Sequence, residues 1–359
     1  MNTALNGICP YFTMFPLAFP EGILKRHAVK GDTVLDPFAG RGTTLYAAGL
    51  NGLRAYGIDS NPVAVAISEA KLANTTPGRI TAAARRILRS FSTPSDLPTG
   101  PFWRLAFDES VLAALCRLRA GLLADCESAP RKALRAIILG ALHGPLAKTQ
   151  PSYFSNQSPR TYGPKPAYAV RFWRERKLLP PKVDVLEVIS RRAVRYYGEE
   201  HSVARGNMAA GDSQSESSFI GIENKAAWIV TSPPYYGMRT YIPDQWLRNW
   251  FLGGPPAVDY SNQGQLTHFS KEGFATGLNK VWANCAAVAK PGCRLIIRFG
   301  AINNRNLDPR ELLKKSLAET PWKILTCHNA GTASHGKRQA DAFVPTAEAI
   351  QEYDLWATN

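Results

Sequence analysis

The feature that most constrains the fold is a strand, turn and helix pattern that occurs twice near the start of the chain. A short apolar strand over residues 33–35 runs into the glycine-containing turn 36–42, and a helical stretch follows. A second short strand over 54–58 ends at Asp59 and leads into another helix. Strands that alternate with helices form parallel sheets with right-handed crossovers. The sequence therefore predicts an α/β domain with helices on both faces of its sheet.

A long basic segment interrupts this pattern. From about residue 75 the sequence is mainly helical and rich in arginine, and strand-like sequence resumes near residue 204. We predict three parts: a first sheet part over 1–74, a largely helical basic insertion over 75–203, and a second sheet part over 204–359. Further strands are expected near 204–212, 226–230, 293–299, 322–327 and 352–356.

The net charge favours a polyanionic partner. The chain has 43 Lys+Arg against 28 Asp+Glu, a formal charge of +15, and residues 75–205 alone hold 22 of these basic residues against 10 acidic ones. Self-repulsion of this size is best tolerated where nucleic acid neutralises it, and a solvated basic face is the alternative. The insertion is therefore the candidate DNA-binding region.

Composition argues against several classes of protein. The six cysteines form no C-x-x-C pair and no histidine cluster accompanies them, so neither a disulfide framework nor a metal site is expected. No unbroken apolar run reaches the roughly 18 to 20 residues of a membrane span, so no membrane association is expected. The N-terminal segment lacks the basic start and apolar core of a secretory signal, which favours a cytoplasmic location.

The turn after the first strand has the composition of a cofactor-binding strand end, where ligands of open α/β sheets lie. Gly40 and Gly42 permit a tight turn and close approach of the backbone to a ligand, and Asp36 offers an acceptor for an ammonium group. Asp59, about 20 residues further on, suits hydrogen bonding to ribose hydroxyls. The F-x-G-x-G spacing differs from the dinucleotide fingerprint and argues against a nicotinamide cofactor.

A second motif, Ser232-Pro233-Pro234-Tyr235, follows the strand predicted over 226–230. Consecutive prolines cannot extend a sheet, so the chain leaves it there in a rigid turn. Ser232 Oγ and the Pro233 carbonyl could accept the hydrogens of an exocyclic amino group and direct its lone pair at an electrophile. Tyr235 would stack on the base, which must first leave the duplex.

Together these residues resemble the amino-type DNA methyltransferases, which methylate cytosine N4 or adenine N6. The resemblance spans most of the chain and implies a Rossmann-like class I methyltransferase fold with a mostly parallel seven-stranded sheet. It also implies S-adenosyl-L-methionine as the cofactor, with a cofactor half before the insertion and a catalytic half after it. The cofactor-binding residues that it implies are Tyr11, Phe12, Thr13, Asp36, Phe38, Gly40, Gly42, Thr43, Asp59 and Asp212. The catalytic residues that it implies are Ser232, Pro233, Pro234 and Tyr235.

The same resemblance narrows the reaction. No Pro-Cys dipeptide is present, so methylation of cytosine C5 through a cysteine nucleophile is set aside. The family associates serine at position 232 with cytosine N4 more than with adenine N6, so we expect the N4 reaction on a flipped base of double-stranded DNA. Adenine N6, an RNA base and a non-catalytic DNA-binding role are the alternatives. Relatives commonly accompany restriction systems, which makes a cognate restriction endonuclease a candidate partner, and the sequence leaves the oligomeric state open.

Nucleic acid contacts are expected where aromatic rings and cations alternate in a Pro- and Gly-broken stretch of the insertion. The candidates are Tyr162, Lys165, Arg171, Arg174 and Arg176, together with Arg239 just after the catalytic motif. The alternative for this stretch is that Phe172 and Trp173 belong to the core and the arginines are solvated. Trp246 and Trp250, at i and i+4, are more typical of helix packing.

Overall fold

The computed structural model consists of two compact units, which we call the sheet unit and the helical unit. The residues that it describes are 3–11, 15–145, 152–159, 161–199, 203–222, 225–236, 242–258, 270–300, 308–332 and 351–359. The sheet unit comprises Tyr11–Leu72, Ser202–Thr240 and Asn262–Asn359. The helical unit comprises Met1–Pro10, Ala73–His201 and Tyr241–Ser261, so it draws on two short segments outside 75–203.

The sheet unit is built on one seven-stranded sheet. Its strands are β1 (Thr33–Asp36), β2 (Arg54–Asp59), β3 (Arg205–Ala210), β4 (Ala226–Thr231), β5 (Ala289–Gly300), β6 (Lys323–Thr332) and β7 (Gln351–Thr358). The strand order is β3-β2-β1-β4-β5-β7-β6. The pairs among β1 to β5 are parallel, and β7 is antiparallel to both β5 and β6. This arrangement confirms the predicted α/β class and the mostly parallel seven-stranded sheet.

The helices follow the predicted alternation at both ends of the chain. In chain order they are α1 (Ala18–His27), α2 (Thr43–Leu50), α3 (Pro62–Lys71), α4 (Pro77–Ser90), α5 (Pro101–Ala106), α6 (Glu109–Ala124), α7 (Ala129–Ala141), α8 (Pro166–Glu175), α9 (Val185–Tyr197), α10 (Trp246–Phe251), α11 (Lys271–Ala287) and α12 (Pro309–Leu317). Pro at the first turn and a side-chain cap, such as Asn61 for α3 and Asp308 for α12, mark several of the starts.

Alternating strand residues bury two separate cores, one on each face of the sheet. Leu35, Ile229 and Leu295 belong to the core that α11 and α12 cover. Their chain neighbours Val34 and Val230 belong to the core that α1 and α2 cover. Each such side chain contributes about 1.5–3 kcal/mol when fully buried. The predicted packing of helices on both faces is therefore confirmed.

The parallel strands bring several polar residues to one edge of the sheet. The carboxyl ends of parallel neighbours lie side by side, so Asp36, Asp59 and Thr231 share this edge. Strand β1 is flanked by β2 on one side and by β4 on the other, so the order of the sheet reverses there. Ligands of open α/β sheets bind at such a reversal point.

The helical unit has its own core, built around aromatic rings. The Trp103 ring centroid lies 5.7 Å from that of Trp246 and 4.6 Å from that of Trp250, which is the helix packing expected for the last two residues. Phe172 and Trp173 are also buried, so the core alternative is correct for these two rings. Packed aromatic pairs stabilise a core beyond the area that they bury.

A buried histidine completes this core. His143 shares hydrogen bonds with the hydroxyls of Ser155 (2.8 Å) and Ser158 (2.9 Å). Burial lowers the pKa of His143 to about 3, so the ring is neutral at physiological pH. Within the described residues, no helix is long and apolar enough to cross a bilayer, and no group of His, Cys, Asp or Glu could hold a metal ion.

Candidate functional site

Asp36, the last residue of β1, is a fully buried carboxyl group. Its Oδ1 accepts hydrogen bonds from the Thr231 hydroxyl (2.6 Å) and from the Phe38 backbone N–H (3.1 Å). Its Oδ2 has no hydrogen-bond partner among the described residues, and the Thr44 hydroxyl donates to the Val230 carbonyl (3.2 Å). Burial raises the pKa of Asp36 to about 6, against the opposing effect of the hydrogen bond from Thr231. A buried acceptor that lacks a donor suits a cationic ligand group.

Gly40 and Gly42 shape the turn between β1 and α2. Both have positive φ angles, 51° and 72°, which residues with a side chain rarely adopt. A Cβ on Gly42 would lie 2.7 Å from Ser68 Oγ, whereas a Cβ on Gly40 would meet nothing closer than 3.9 Å. Ser68 Oγ also donates to the Gly40 carbonyl (2.9 Å) and ties the turn to α3. Gly42 therefore permits the turn to pack, and the missing side chain of Gly40 leaves free space beside its Cα.

We expect Gly42→Ala to lower the free energy of unfolding by about 1–3 kcal/mol, because alanine adds positive-φ strain and a contact with Ser68 that is too short. Gly78→Ala in α4 is the matched control. A Cβ there would meet nothing within 4 Å, and alanine favours helix, so stability should be unchanged or slightly higher. Urea unfolding measures both variants, and equal midpoints would contradict the strain assigned to Gly42.

Asp59, at the end of β2, closes the same turn from the other side. Its Oδ2 accepts a hydrogen bond from the Gly40 N–H (2.8 Å), and its Oδ1 accepts one from the Asn61 N–H (2.8 Å). Burial raises the pKa of Asp59, and the two backbone hydrogen bonds oppose that shift. Each carboxylate oxygen has a second acceptor position. Asp59 thus positions the turn, and its role toward ribose hydroxyls stays a prediction.

Asn61 links the predicted Tyr11 segment to the turn. Its Oδ1 accepts a hydrogen bond from the Val63 N–H (2.9 Å) and caps α3, while its Nδ2 donates to the Tyr11 hydroxyl (3.0 Å). Tyr11 is buried at this position. Two further members of the segment, Phe12 and Thr13, lie outside the described residues.

The remaining predicted cofactor residues lie in three different surroundings. The half-buried Phe38 ring packs edge-on against Trp282, with 6.2 Å between centroids. Thr43 is the buried first residue of α2. Asp212 follows β3 and is exposed, and its Oδ1 accepts a hydrogen bond from the Gln214 N–H (2.9 Å). Their predicted contacts with a cofactor stay predictions.

The Ser-Pro-Pro-Tyr motif leaves the sheet beside Asp36. Strand β4 ends at Thr231, which is 195 residues from Asp36 in sequence and donates a hydrogen bond to it. Strands β1 and β4 are paired neighbours, so the motif that follows Thr231 begins next to the glycine turn. Ser232 is half-buried, and its hydroxyl makes no hydrogen bond within the described part of the chain. Pro233 is buried and Pro234 is half-buried.

Tyr235 is part of the core beneath this turn. It is 8% exposed, and its ring packs edge-on against Phe299 with 5.6 Å between centroids. Its hydroxyl donates a hydrogen bond to Glu352 on β7, a carboxylate that is itself buried. Sequence reasoning missed Glu352, because it belongs to no local motif and lies 117 residues from Tyr235. The predicted stacking of Tyr235 on a base stays a prediction.

Five of the six predicted nucleic acid residues lie in the described part of the helical unit, and Arg239 lies outside the described residues. Lys165, Arg171, Arg174 and Arg176 are exposed, and Tyr162 is half-buried. Arg171 and Arg176 both form ion pairs with Glu175, at 4.0 and 3.7 Å, and Arg176 stacks on the Phe172 ring at 4.1 Å. Part of the charge on α8 is therefore neutralised within the helix.

Residues 3–70 match the family model N6_N4_Mtase, described as DNA methylase. The Type II methyltransferase M.MjaII of Methanocaldococcus jannaschii is 43% identical over 68 residues, which is 19% of this chain and 13% of the length of that protein. The matched residues 3–70 include the glycine turn and Asp59, whereas the Ser-Pro-Pro-Tyr motif lies beyond them. The resemblance to the amino-directed DNA methyltransferases is thus confirmed for this N-terminal part.

Solved structures show weaker likeness along the whole chain. The rRNA methyltransferase aviRa from Streptomyces viridochromogenes is 12% identical with a TM-score of 0.38, and the match covers 100% of this chain and 90% of that chain. A SAM-dependent methyltransferase from Methanosarcina mazei is 10% identical with a TM-score of 0.37, and the match covers 96% of this chain and 98% of that chain. At this level the fold assignment rests on the strand order and register of the sheet itself.

Proposed function

We propose that the protein methylates an exocyclic amino group in DNA, with S-adenosyl-L-methionine as the methyl donor and cytosine N4 as the acceptor. The observation that carries the proposal is the hydrogen bond between Thr231 and Asp36, which joins two strand ends. One strand end bears the glycine turn and the other bears the Ser-Pro-Pro-Tyr turn. A cofactor on the first turn would therefore lie beside a base on the second. The DNA methylase match over residues 3–70 supports the same assignment.

The residues of the first turn fit the proposed cofactor. The buried Asp36 Oδ2 has no donor among the described residues, which suits the ammonium of an amino acid moiety, and Gly40 has no side chain to obstruct a ligand at the turn. The second lone pairs of the Asp59 carboxylate would accept ribose hydroxyls. When bound, S-adenosyl-L-methionine supplies a methyl group on a sulfonium sulfur. The chain's part is to bind and orient that group and to exclude water from it.

The residues of the second turn suit an amino group as acceptor of the methyl group. An exocyclic amino group is a poor nucleophile because its lone pair is delocalised into the ring. Ser232 Oγ and the Pro233 carbonyl would accept its two hydrogens and favour a pyramidal nitrogen whose lone pair is directed at the donor. The fixed φ angles of Pro233 and Pro234 hold these acceptors in place before the base arrives.

The proposal is tested by incubating the protein with tritium-labelled cofactor and either duplex DNA or structured RNA, followed by mass spectrometry of the nucleosides. We expect N4-methylcytosine from DNA. N6-methyladenine would show that adenine N6 is the acceptor in the same class of reaction, whereas label in RNA alone would show that the substrate is RNA. If the protein binds DNA but neither transfers label nor binds the cofactor saturably, it is a non-catalytic DNA-binding protein. Protection of the methylated DNA from a cognate restriction endonuclease tests that proposed partnership.

Cofactor binding should weaken in acid. The ammonium requires the ionised carboxylate of Asp36, whose pKa is raised to about 6, so below that pH binding must first displace a proton. Linkage then predicts about a tenfold loss of affinity for each pH unit below about 6 and little change above about 7. Isothermal titration from pH 5 to pH 8 measures this dependence. A dissociation constant that stays the same across the range would contradict the role assigned to Asp36.

A further inference from the structure

Two neighbouring helices of the helical unit carry a concentrated positive charge. Helices α4 and α7 pack against each other, and together they hold seven basic residues and no acidic residue. The seven are Arg79, Arg85, Arg86, Arg89, Arg131, Lys132 and Arg135. None of them is among the residues that sequence motifs single out for nucleic acid binding. Like charges at this density repel one another, which favours the binding of an anion.

Within this pair of helices, three arginines line one cleft, two of them on α4 and one on α7. Arg79 and Arg86 lie two helical turns apart, so their side chains leave the same face of α4. Ala82 and Ala83, between them, are small and leave room for a ligand group. The cleft has a volume of about 180 Å³, and the start of α7, including Arg131, lines its other side.

The arginines of this cleft differ in how they are held. Arg131 donates to the carbonyls of Gly121 (3.2 Å) and Asp125 (2.7 Å) and pairs with the Asp125 carboxylate (2.9 Å), so its position is fixed. Arg79 and Arg86 are exposed, and neither has an acidic partner among the described residues. Their guanidinium groups are therefore available to an external anion, unlike those of Arg171 on α8 and Arg176 directly after it, which pair with Glu175.

We propose that the α4–α7 face, centred on the cleft that Arg79 and Arg86 line, binds the phosphodiester backbone of DNA. Guanidinium groups donate two parallel hydrogen bonds to phosphate oxygens, and two of them on one helix face can hold neighbouring phosphates. Such contacts orient the duplex and carry no sequence information. The identity of the polyanion rests on the proposed function, and the location of the face rests on the charge and exposure of the helices.

The test compares Arg79→Gln/Arg86→Gln with wild type in the binding of a labelled DNA duplex, followed by fluorescence anisotropy at several salt concentrations without cofactor. Each lost phosphate contact reduces the slope of log K against log salt by about 0.9, so we expect a reduction of about 1.8. Affinity at low salt should fall about tenfold or more, and equally for unrelated duplex sequences. Arg79→Lys/Arg86→Lys keeps the charge and should retain most of the slope.

The matched control is Lys314→Gln/Lys315→Gln on α12, which removes the same charge from residues already paired with Glu311 and Glu272. Its salt slope should equal that of wild type. If both double variants change the slope alike, only net charge matters and the proposed face is wrong. Binding to phosphatidylserine vesicles that is lost in the variant, with DNA binding intact, would overturn the choice of partner.

This experiment is independent of the methylation assay. If the salt dependence of DNA binding depends on Arg79 and Arg86 but wild type methylates nothing, the proposed function is wrong and the proposed face is supported. If wild type methylates DNA but Arg79→Gln/Arg86→Gln binds DNA as tightly as wild type, the proposed face is wrong and the proposed function is supported. Because both arginines are exposed, circular dichroism should show the same fold in all variants.

Discussion

Asp36→Asn should weaken S-adenosyl-L-methionine binding about 100-fold, which corresponds to the ~3 kcal/mol of a hydrogen bond to a charged group. The amide keeps the size of the side chain and an acceptor for Thr231, but it cannot neutralise an ammonium group. Because Oδ2 of Asp36 has no other partner among the described residues, the loss should appear in cofactor binding and not in folding. Isothermal titration at pH 8 measures it.

The same variant should be at least as stable as wild type at neutral pH. The pKa of Asp36 is raised from 3.8 to about 6, so the folded protein holds this proton more tightly than the unfolded chain does. Stability from this group is therefore greatest below about pH 4 and falls as the pH rises to about 6, by up to about 3 kcal/mol. Asparagine carries no charge and avoids that loss.

Asp32→Asn is the control for Asp36→Asn. Asp32 precedes β1 at the other edge of the sheet, where its Oδ2 accepts hydrogen bonds from Trp228 Nε1 (2.8 Å) and the Val29 N–H (3.0 Å). We expect this variant to bind the cofactor like wild type, because it changes a carboxylate in the same segment away from the glycine turn. Equal binding by the two variants would remove Asp36 from the cofactor site.

Tyr235→Ala should reduce kcat about 100-fold and leave the cofactor dissociation constant almost unchanged, because a base loses roughly 1–3 kcal/mol when an aromatic partner is removed and the turn also loses an anchor. The anchor is the hydrogen bond from the Tyr235 hydroxyl to Glu352. Single-turnover methylation with saturating cofactor measures the effect. Unimpaired methylation by the folded variant would exclude Tyr235 from the catalytic site.

Two conservative variants separate the ring from the hydroxyl. Tyr235→Phe keeps the ring, and Glu352→Gln keeps an acceptor for the hydroxyl. If stacking dominates, Tyr235→Phe keeps most of the activity, whereas if the anchor dominates it loses as much as Tyr235→Ala. Tyr235→Ala also leaves a cavity in the core, which lowers the free energy of unfolding by about 3–5 kcal/mol. The unfolding midpoint of the variant must therefore be measured together with its kcat. The control is Tyr353→Ala, which removes a half-buried ring from β7, the strand that holds Glu352, and should keep kcat near wild type.

Much of the sheet is predictable because its signals are local. The strands that end at Asp36 and Asp59 are short apolar runs bounded by turn residues, and both occur as predicted. Strand β6, which pairs antiparallel with β7, is harder to predict. The sequence pattern predicts it over 322–327, whereas β6 extends to Thr332. The extension has a tertiary cause, since β6 pairs with β7 along its length and gains hydrogen bonds that no local pattern encodes.

The candidate site is predictable in its motifs and less so in its supporting contacts. Gly40 and Gly42 can be identified because their backbone conformations restrict the residue type. Thr231, Ser68 and Glu352 are ordinary residues whose importance depends on what lies opposite them in the fold. Each of them contacts a predicted site residue through a hydrogen bond across a long stretch of sequence.

The amino-acid sequence by itself determined the strand ends, the two turns and the groups available for chemistry, because periodicity, glycine and proline act within a few residues of their own position. Only the tertiary structure decided that β4 pairs with β1 and thereby brings Thr231 to Asp36. It also decided that Arg79 and Arg86 have no acidic partner in the described part of the chain. Strand pairing depends on burying both faces of the whole sheet against the entropy of closing long loops, and that balance is not encoded in any single segment.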